Sequence, residues 1–136
     1  MAISGLVITY NEEKNIGKCI DALIEVCDEV IIVDSLSADN TVKIAEEKGA
    51  KVISQKFLGD GPQRTHGLPF CKNDWILNLD ADEFLDTDAK EFILKEKYLE
   101  GNYDAFSFRV KNFLADELID FSGWYPDHKV RFFNKK

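Results

Sequence analysis

The chain has 136 residues, of which 45% are hydrophobic and 31% charged, enough apolar content for one globular domain with a core of its own. With a formal net charge of -8 it carries no basic stripe able to displace phosphate counterions, so nucleic acid is not expected as a partner. An acidic surface can still hold a small phosphate-bearing ligand when a divalent cation sits between carboxylates and phosphates.

The apolar run from Ile3 through Leu6 to Thr9 predicts a buried strand that ends at Tyr10-Asn11-Glu12-Glu13. Ile16, Cys19, Ile20, Leu23, Ile24 and Cys27 then recur at three-four spacing and predict one face of a helix, its N-terminus favoured by Asn11 or the acidic pair. Val30 to Val33 is a second strand closing on Asp34. Its continuous apolarity predicts cover on both faces, as in a parallel sheet. Polar residues Ser35 to Asn40 punctuate the chain before a helix over Thr41 to Lys48, stopped by Gly49. Lys51 to Ser54 reads as a third strand. A glycine-rich loop leads to a short helix over Gln63 to Cys71, and Trp75 to Leu79 reads as a fourth strand. A helix is expected from Asp88 to about Leu99, followed by strand-like segments Ala105 to Phe113 and His128 to Phe133 around a turn at Asp116-Glu117.

This alternation predicts a doubly wound α/β fold, a mostly parallel sheet flanked by helices, with a less regular C-terminal β tail. In such sheets ligands bind outside the carboxyl ends of the strands. Asn11, Asp34 and Asp80 each follow an apolar strand and are expected to point polar side chains into one crevice.

The strongest chemical signal is Asp80-Ala81-Asp82. Alternate residues leaving a strand can aim two carboxylates at one centre, and hard oxygen ligands suit Mg2+ or Mn2+, which in turn can hold a diphosphate. The competing reading is a solvated acidic turn, but the run Trp75-Ile-Leu-Asn-Leu feeding directly into the pair favours the metal. Glu83 either joins this acidic set or favours the next helix terminus. Asp34 stands where α/β nucleotide sites place an acidic side chain on ribose or base, and it can equally cap the Ser35 to Asn40 turn. Arg64 can pair with a phosphate, or lie on the surface.

His66 and His128 are read as structural or exposed. Trp124 and Tyr125 suit either ordinary packing or a sugar-stacking platform. Neither a dinucleotide fingerprint nor a P-loop is present. The three cysteines have no metal-site spacing, which favours a reduced, cytoplasmic setting; Cys19 and Cys27 are read as small core residues.

The segments Ile8-Thr-Tyr-Asn-Glu-Glu-Lys-Asn15, Val30-Ile-Ile-Val-Asp-Ser-Leu-Ser-Ala-Asp-Asn-Thr41, Gln63-Arg64 and Leu77-Asn-Leu-Asp-Ala-Asp-Glu83, in this order, resemble a family-2 glycosyltransferase of GT-A fold. Asn112-Phe-Leu, Gly123-Trp-Tyr-Pro-Asp127 and Val130-Arg131 are similar to the branch that includes lipopolysaccharide-core β-glucosyltransferases. The resemblance implies a metal-dependent inverting transfer from a nucleotide-sugar, with UDP as the nucleotide. The acceptor would be a glycan or glycolipid, and the enzyme would work in the cytoplasm or peripherally at the cytoplasmic membrane face. It implies that Thr9, Tyr10, Glu12, Asp34 and Arg64 line or approach the nucleotide end of the site, that Asp80 reaches the ribose and metal region, and that Asp82 coordinates Mn2+ or Mg2+. Thr65 departs from the Asn that commonly follows the basic residue. The general base of the family lies beyond the matched segments, which leads to the expectation of one donor-binding domain over 1–136, cut before the acceptor segment. Asp127 is the acidic residue of the tail that could substitute as base.

Two rivals start from the same features. A haloacid-dehalogenase-type phosphatase would use the first Asp of D-x-D as nucleophile, but Phe84 stands where Thr or Val is favoured. A receiver-like signalling domain would carry its phospho-accepting Asp at the third strand, which here ends Ser54-Gln55-Lys56.

Overall fold

The computed structural model describes residues 2–101, 103–107, 110–112 and 130–136. Its elements are β1 (Ile3–Thr9), α1 (Ile16–Ile24), β2 (Glu29–Asp34), α2 (Thr41–Glu47), β3 (Lys51–Ser54), α3 (Asp60–Gly67), β4 (Trp75–Asp80), β5 (Glu83–Leu85), α4 (Thr87–Leu94), β6 (Ala105–Ser107), β7 (Val110–Asn112) and β8 (Val130–Asn134). The main sheet runs β3-β2-β1-β4-β8-β6, while β5 and β7 form a separate antiparallel ribbon. Strands β1 to β4 are parallel, as the uninterrupted apolar runs predict; β8 and β6 extend the sheet antiparallel.

Both faces of the parallel part are covered. Ile3 and Val7 share a core with Ile16, Ile20 and Leu23 of α1, Ala45 of α2, and Ala89 and Ile93 of α4. On the opposite face Leu6, Ile31, Val33 and Ile76 pack together, and α3 lies against β1 and β2. A Cβ on Gly67 would stand 2.7 Å from both Leu6 Cδ1 and Val33 Cγ2, so a side chain at that position would hold α3 away from the sheet. The antiparallel extension is held by aromatic rings. Trp75 lies 5.0 Å from Tyr98 and 5.0 Å from Phe132, and Phe92 lies 5.0 Å from Phe106, distances at which edge and offset contacts add to simple burial.

Several boundaries differ from expectation. The apolar stripe of the first helix outruns it: α1 ends at Ile24, which is half exposed, while Cys27 lies beyond the helix yet is buried. Helix α3 starts at Asp60 rather than Gln63, after Gly59 takes φ 109°, and gives way to a 3-10 turn at Leu68–Phe70. The last helix stops at Leu94 because Glu96 turns left-handed at φ 55°; Lys97–Leu99 is a separate 3-10 turn. Ala105 to Phe113 is not one strand: β6 joins the main sheet and β7 pairs with β5. Glu83 does not serve a helix terminus. It opens β5, and Asp86 caps α4 by accepting the Ala89 amide at 2.8 Å. The tail turn at Asp116-Glu117, Trp124, Tyr125, Asp127 and His128 lie outside the described residues.

Candidate functional site

The strand register decides what stands at the upper edge of the sheet. Thr9 is level with Asp34, and Ile8 with Asp80, so β1, β2 and β4 end together. Above them opens a cleft of about 530 Å3 lined by Ile8, Thr9, Tyr10, Glu12, Ser35, Phe57, Asp60, Asp80, Ala81 and Asp82. Five expected site residues, Thr9, Tyr10, Glu12, Asp80 and Asp82, are thus brought together. Ser35, Phe57 and Asp60 join them from loops and a helix start whose composition gave no periodic signal.

Of the three polar strand ends expected in one crevice, only Asp80 lines this cleft. Asp34 is 1% exposed and turned inward. Its carboxylate accepts the Thr9 hydroxyl at 2.8 Å, the Ser37 hydroxyl at 2.6 Å and the Ser37 amide at 2.8 Å, the bonding of a turn cap. Asn11 accepts the Ala38 amide at 2.8 Å and gives its own amide to Ser37 Oγ at 2.8 Å. Further along, the Glu12 amide donates to Thr41 Oγ1 at 2.8 Å. Asn11 and Asp34 therefore stitch the loop after β1 to the loop after β2. Thr9 lines the cleft with its hydroxyl given to Asp34 and its carbonyl accepting the Ser35 amide at 2.9 Å.

Buried Gln63 builds the opposite wall. It accepts the Leu58 amide at 3.0 Å and donates to Gln55 O at 3.0 Å and to Ser35 Oγ at 3.2 Å, which sets the Phe57-Leu58 segment beside Ser35. Tyr10 and Phe57 both line the cleft with more than half of their surface exposed (60% and 57%), an arrangement that suits a flat apolar ligand group.

The floor is electronegative. Burial pushes the Glu12 carboxyl above the usual range; the Asn15 amide at 3.2 Å opposes this, and the charges of Asp82, Asp39 and Asp80 add to it. Arg64 does not line the cleft. Its Nη2 donates to Asp80 Oδ1 at 2.5 Å, its Nε to Asn78 Oδ1 at 3.2 Å, and its Nη1 to Asp60 O at 3.5 Å. Glu83 lies beneath Asp80, buried, with Oε1 accepting the Asp80 amide at 2.8 Å and Oε2 accepting Arg131 Nη2 at 2.8 Å. Burial raises its carboxyl from the ordinary range and the Asp80 amide lowers it; the charges of Asp80 and Asp82 raise it and that of Arg131 lowers it.

Among the described residues no group of three His, Cys, Asp or Glu side chains forms a closed metal cage. Two carboxylates facing an open cleft still fit Mg2+ or Mn2+, because such cations commonly take one or two protein carboxylates and complete their shell with water and substrate phosphates. The three cysteines are free and buried. Burial pushes the Cys71 thiol up to about 11 and drives those of Cys19 and Cys27 higher still, which favours the protonated thiol at each.

A doubly wound sheet with an acidic cleft at its carboxyl edge defines a GT-A-type domain, and solved structures share that fold. A mannosyltransferase from Pyrobaculum calidifontis, solved with GDP-Man and Mn2+, is similar over 78% of this chain and 34% of its own, with a TM-score of 0.67 at 20% identity. Glucosyl-3-phosphoglycerate synthase from Mycobacterium tuberculosis, solved with Mn2+ and UDP, is 28% identical over 61% of this chain and 34% of its own, with a TM-score of 0.55. The family model for glycosyl transferase family 2 matches residues 4–134, and the chain belongs to that family.

An uncharacterized glycosyltransferase of Rickettsia typhi is 45% identical over 131 residues, 96% of this chain and 42% of the relative. One from Rickettsia felis is 47% identical over 91 residues, 67% of this chain and 32% of the relative. The lipopolysaccharide core biosynthesis glycosyltransferase LpsC of Rhizobium meliloti is 35% identical over 98 residues, 68% and 36% of the two chains. The chain thus spans 32% to 42% of the length of these relatives. Membership replaces the phosphatase and receiver alternatives.

Proposed function

We propose that residues 1–136 are the donor-binding domain of a metal-dependent, inverting glycosyltransferase that takes a UDP-sugar and builds lipopolysaccharide or another cell-surface glycan, working in the cytoplasm or at the cytoplasmic face of the membrane. The observation that carries this reading is the placement of Asp80 and Asp82 on one wall of a cleft whose rim carries the exposed rings of Tyr10 and Phe57. One end accommodates a nucleobase by stacking, the other a diphosphate.

The cation, held by Asp82 with Asp80, would supply Lewis-acid stabilisation of the charge that develops on the departing nucleotide. Without a cation, Asp80, Asp82 and Glu12 would repel a diphosphate. Arg64, beside Asp80, would meet a phosphate oxygen of the donor. Asp34 acts on the nucleoside end from behind, by fixing the loop that presents Ser35.

UDP as the nucleotide is supported by the UDP complexes of the mycobacterial synthase with Mn2+ and with Mg2+, and the glycan class by LpsC. A general base is assigned to none of the described residues; Asp127 lies outside them. Among the described residues no helix is long and apolar enough to cross a membrane. Isothermal titration of the chain with UDP, in Mn2+ and in EDTA, tests the proposal. Binding at least tenfold tighter with Mn2+ is expected, and equal affinities would overturn the metal-bridged reading.

A further inference from the structure

Arg131 is 2% exposed, lies in β8 far along the chain, and has no place in the cleft, yet it is linked to the metal-binding turn through a single side chain. The turn from β4 to β5 occupies only Ala81 and Asp82, and a side chain braces it from beneath. Glu83 Oε1 accepts the Asp80 amide at 2.8 Å, and Oε2 accepts Arg131 Nη2 at 2.8 Å. Both carboxylate oxygens are therefore in use, one on each side of the link. β8 is itself fixed, pairing antiparallel with β4 at Leu77↔Phe132 and Ile76↔Phe133.

A buried ion pair is a weak source of stability, because the desolvation of two charges offsets most of their attraction. Arg131 Nε, buried without a hydrogen-bond partner, adds to that cost. What the pair does supply is a fixed direction for the backbone between the two metal-binding carboxylates. We propose that Arg131 is a positioning residue for the Asp80-Ala81-Asp82 turn: acting through Glu83, it fixes the backbone from which the two carboxylates would meet a divalent cation. The inference rests on the metal-bridged reading above.

The test measures UDP affinity with Mn2+ and with EDTA, beside melting temperature, for wild type, Asp82→Asn, the double variant Glu83→Met/Arg131→Met, and Glu83→Gln. The double variant removes both buried charges at similar volume, so its melting temperature should stay within a few degrees of wild type or rise. Its Mn2+-dependent affinity should fall at least tenfold, while affinity in EDTA should hold within twofold. Glu83→Gln offers one acceptor oxygen where two are needed, so it must break one side of the link and should show the same selective loss. This second variant decides the matter if the double variant does not fold. A pair that served only the fold would give the reverse, with Mn2+-dependent affinity intact once melting temperature is maintained, and that result would overturn the inference. Loss of metal dependence in Asp82→Asn but in neither Glu83 variant would sink the inference alone; absence of metal dependence in wild type would sink both readings.

Discussion

Replacing Asp34 by alanine should destabilise the protein before it does anything to a ligand. The carboxylate accepts three hydrogen bonds, two from Ser37 and one from the buried Thr9 hydroxyl. Bonds to a charged acceptor contribute about 1.5–3 kcal/mol each. They share one group and are not additive, and Ser37 can be partly rehydrated, so a loss of about 3 kcal/mol is expected. With an unfolding entropy of about 2.1 cal/mol/K per residue over 136 residues, that loss lowers the melting temperature by about 10 °C. Asp34→Asn keeps Oδ1 for the two hydroxyls but turns an amide NH2 towards the Ser37 N–H, and about half the effect is expected. Scanning calorimetry measures both. UDP affinity should weaken equally in Mn2+ and in EDTA, since the loop presenting Ser35 loosens while Asp80 and Asp82 do not move. A melting temperature lowered by less than about 2 °C would refute the reasoning. The carboxylate would then not be committed to the Ser37 turn and would be available to a nucleoside directly.

The parts of the molecule legible in the sequence are those whose information is local. β1, β2 and β4 announce themselves as apolar runs because strands covered on both faces leave no room for alternation. Asp80 and Asp82 could be placed at a ligand edge because parallel strands share that edge. Tyr10 and Glu12 came from the resemblance to glycosyltransferases, since strand-end geometry pointed to Asn11, which does not line the cleft. What stayed hidden depends on partners far along the chain. Asp34 turns inward because the register sets it beside Thr9, 25 residues earlier. Glu83 opens a three-residue strand because β7 pairs with it and Arg131 meets it, 48 residues on. Phe57 reaches the cleft through Gln63, whose amide ties Gln55, Leu58 and Ser35 together without any spacing to betray it. Gly59 and Glu96 shift two helix boundaries through left-handed backbone, which glycine permits readily and glutamate adopts only when the surroundings hold it there.

The remaining expectations bear on the cleft and the layer beneath it. Asp82→Asn should keep its melting temperature within a few degrees, as the side chain is not part of the core, and abolish the Mn2+ enhancement of UDP binding in calorimetry; unchanged affinity in Mn2+ would remove Asp82 as a ligand. The raised Glu12 carboxyl favours the protonated form in the fold, so its contribution is fully present below the unfolded carboxylate range and is lost as pH rises through the raised value. Glu12→Gln should therefore stabilise the metal-free protein at pH 7 and flatten its stability profile over that window, as read by denaturant midpoints; a profile as steep as wild type would refute the assignment. Gly67→Ala forces a methyl into Leu6 and Val33 and should destabilise by about 1–3 kcal/mol in urea unfolding, whereas a neutral result would show that α3 can slide outward freely. Finally, Arg64 holds Asp80 Oδ1 at 2.5 Å and so competes with a cation for the same carboxylate, yet under the proposed function it also meets a phosphate. Arg64→Met should then act in opposite directions, strengthening Mn2+ binding to the nucleotide-free protein and weakening UDP binding at saturating Mn2+. A fall in both affinities would mean that Arg64 holds Asp80 in place for the metal rather than competing with it.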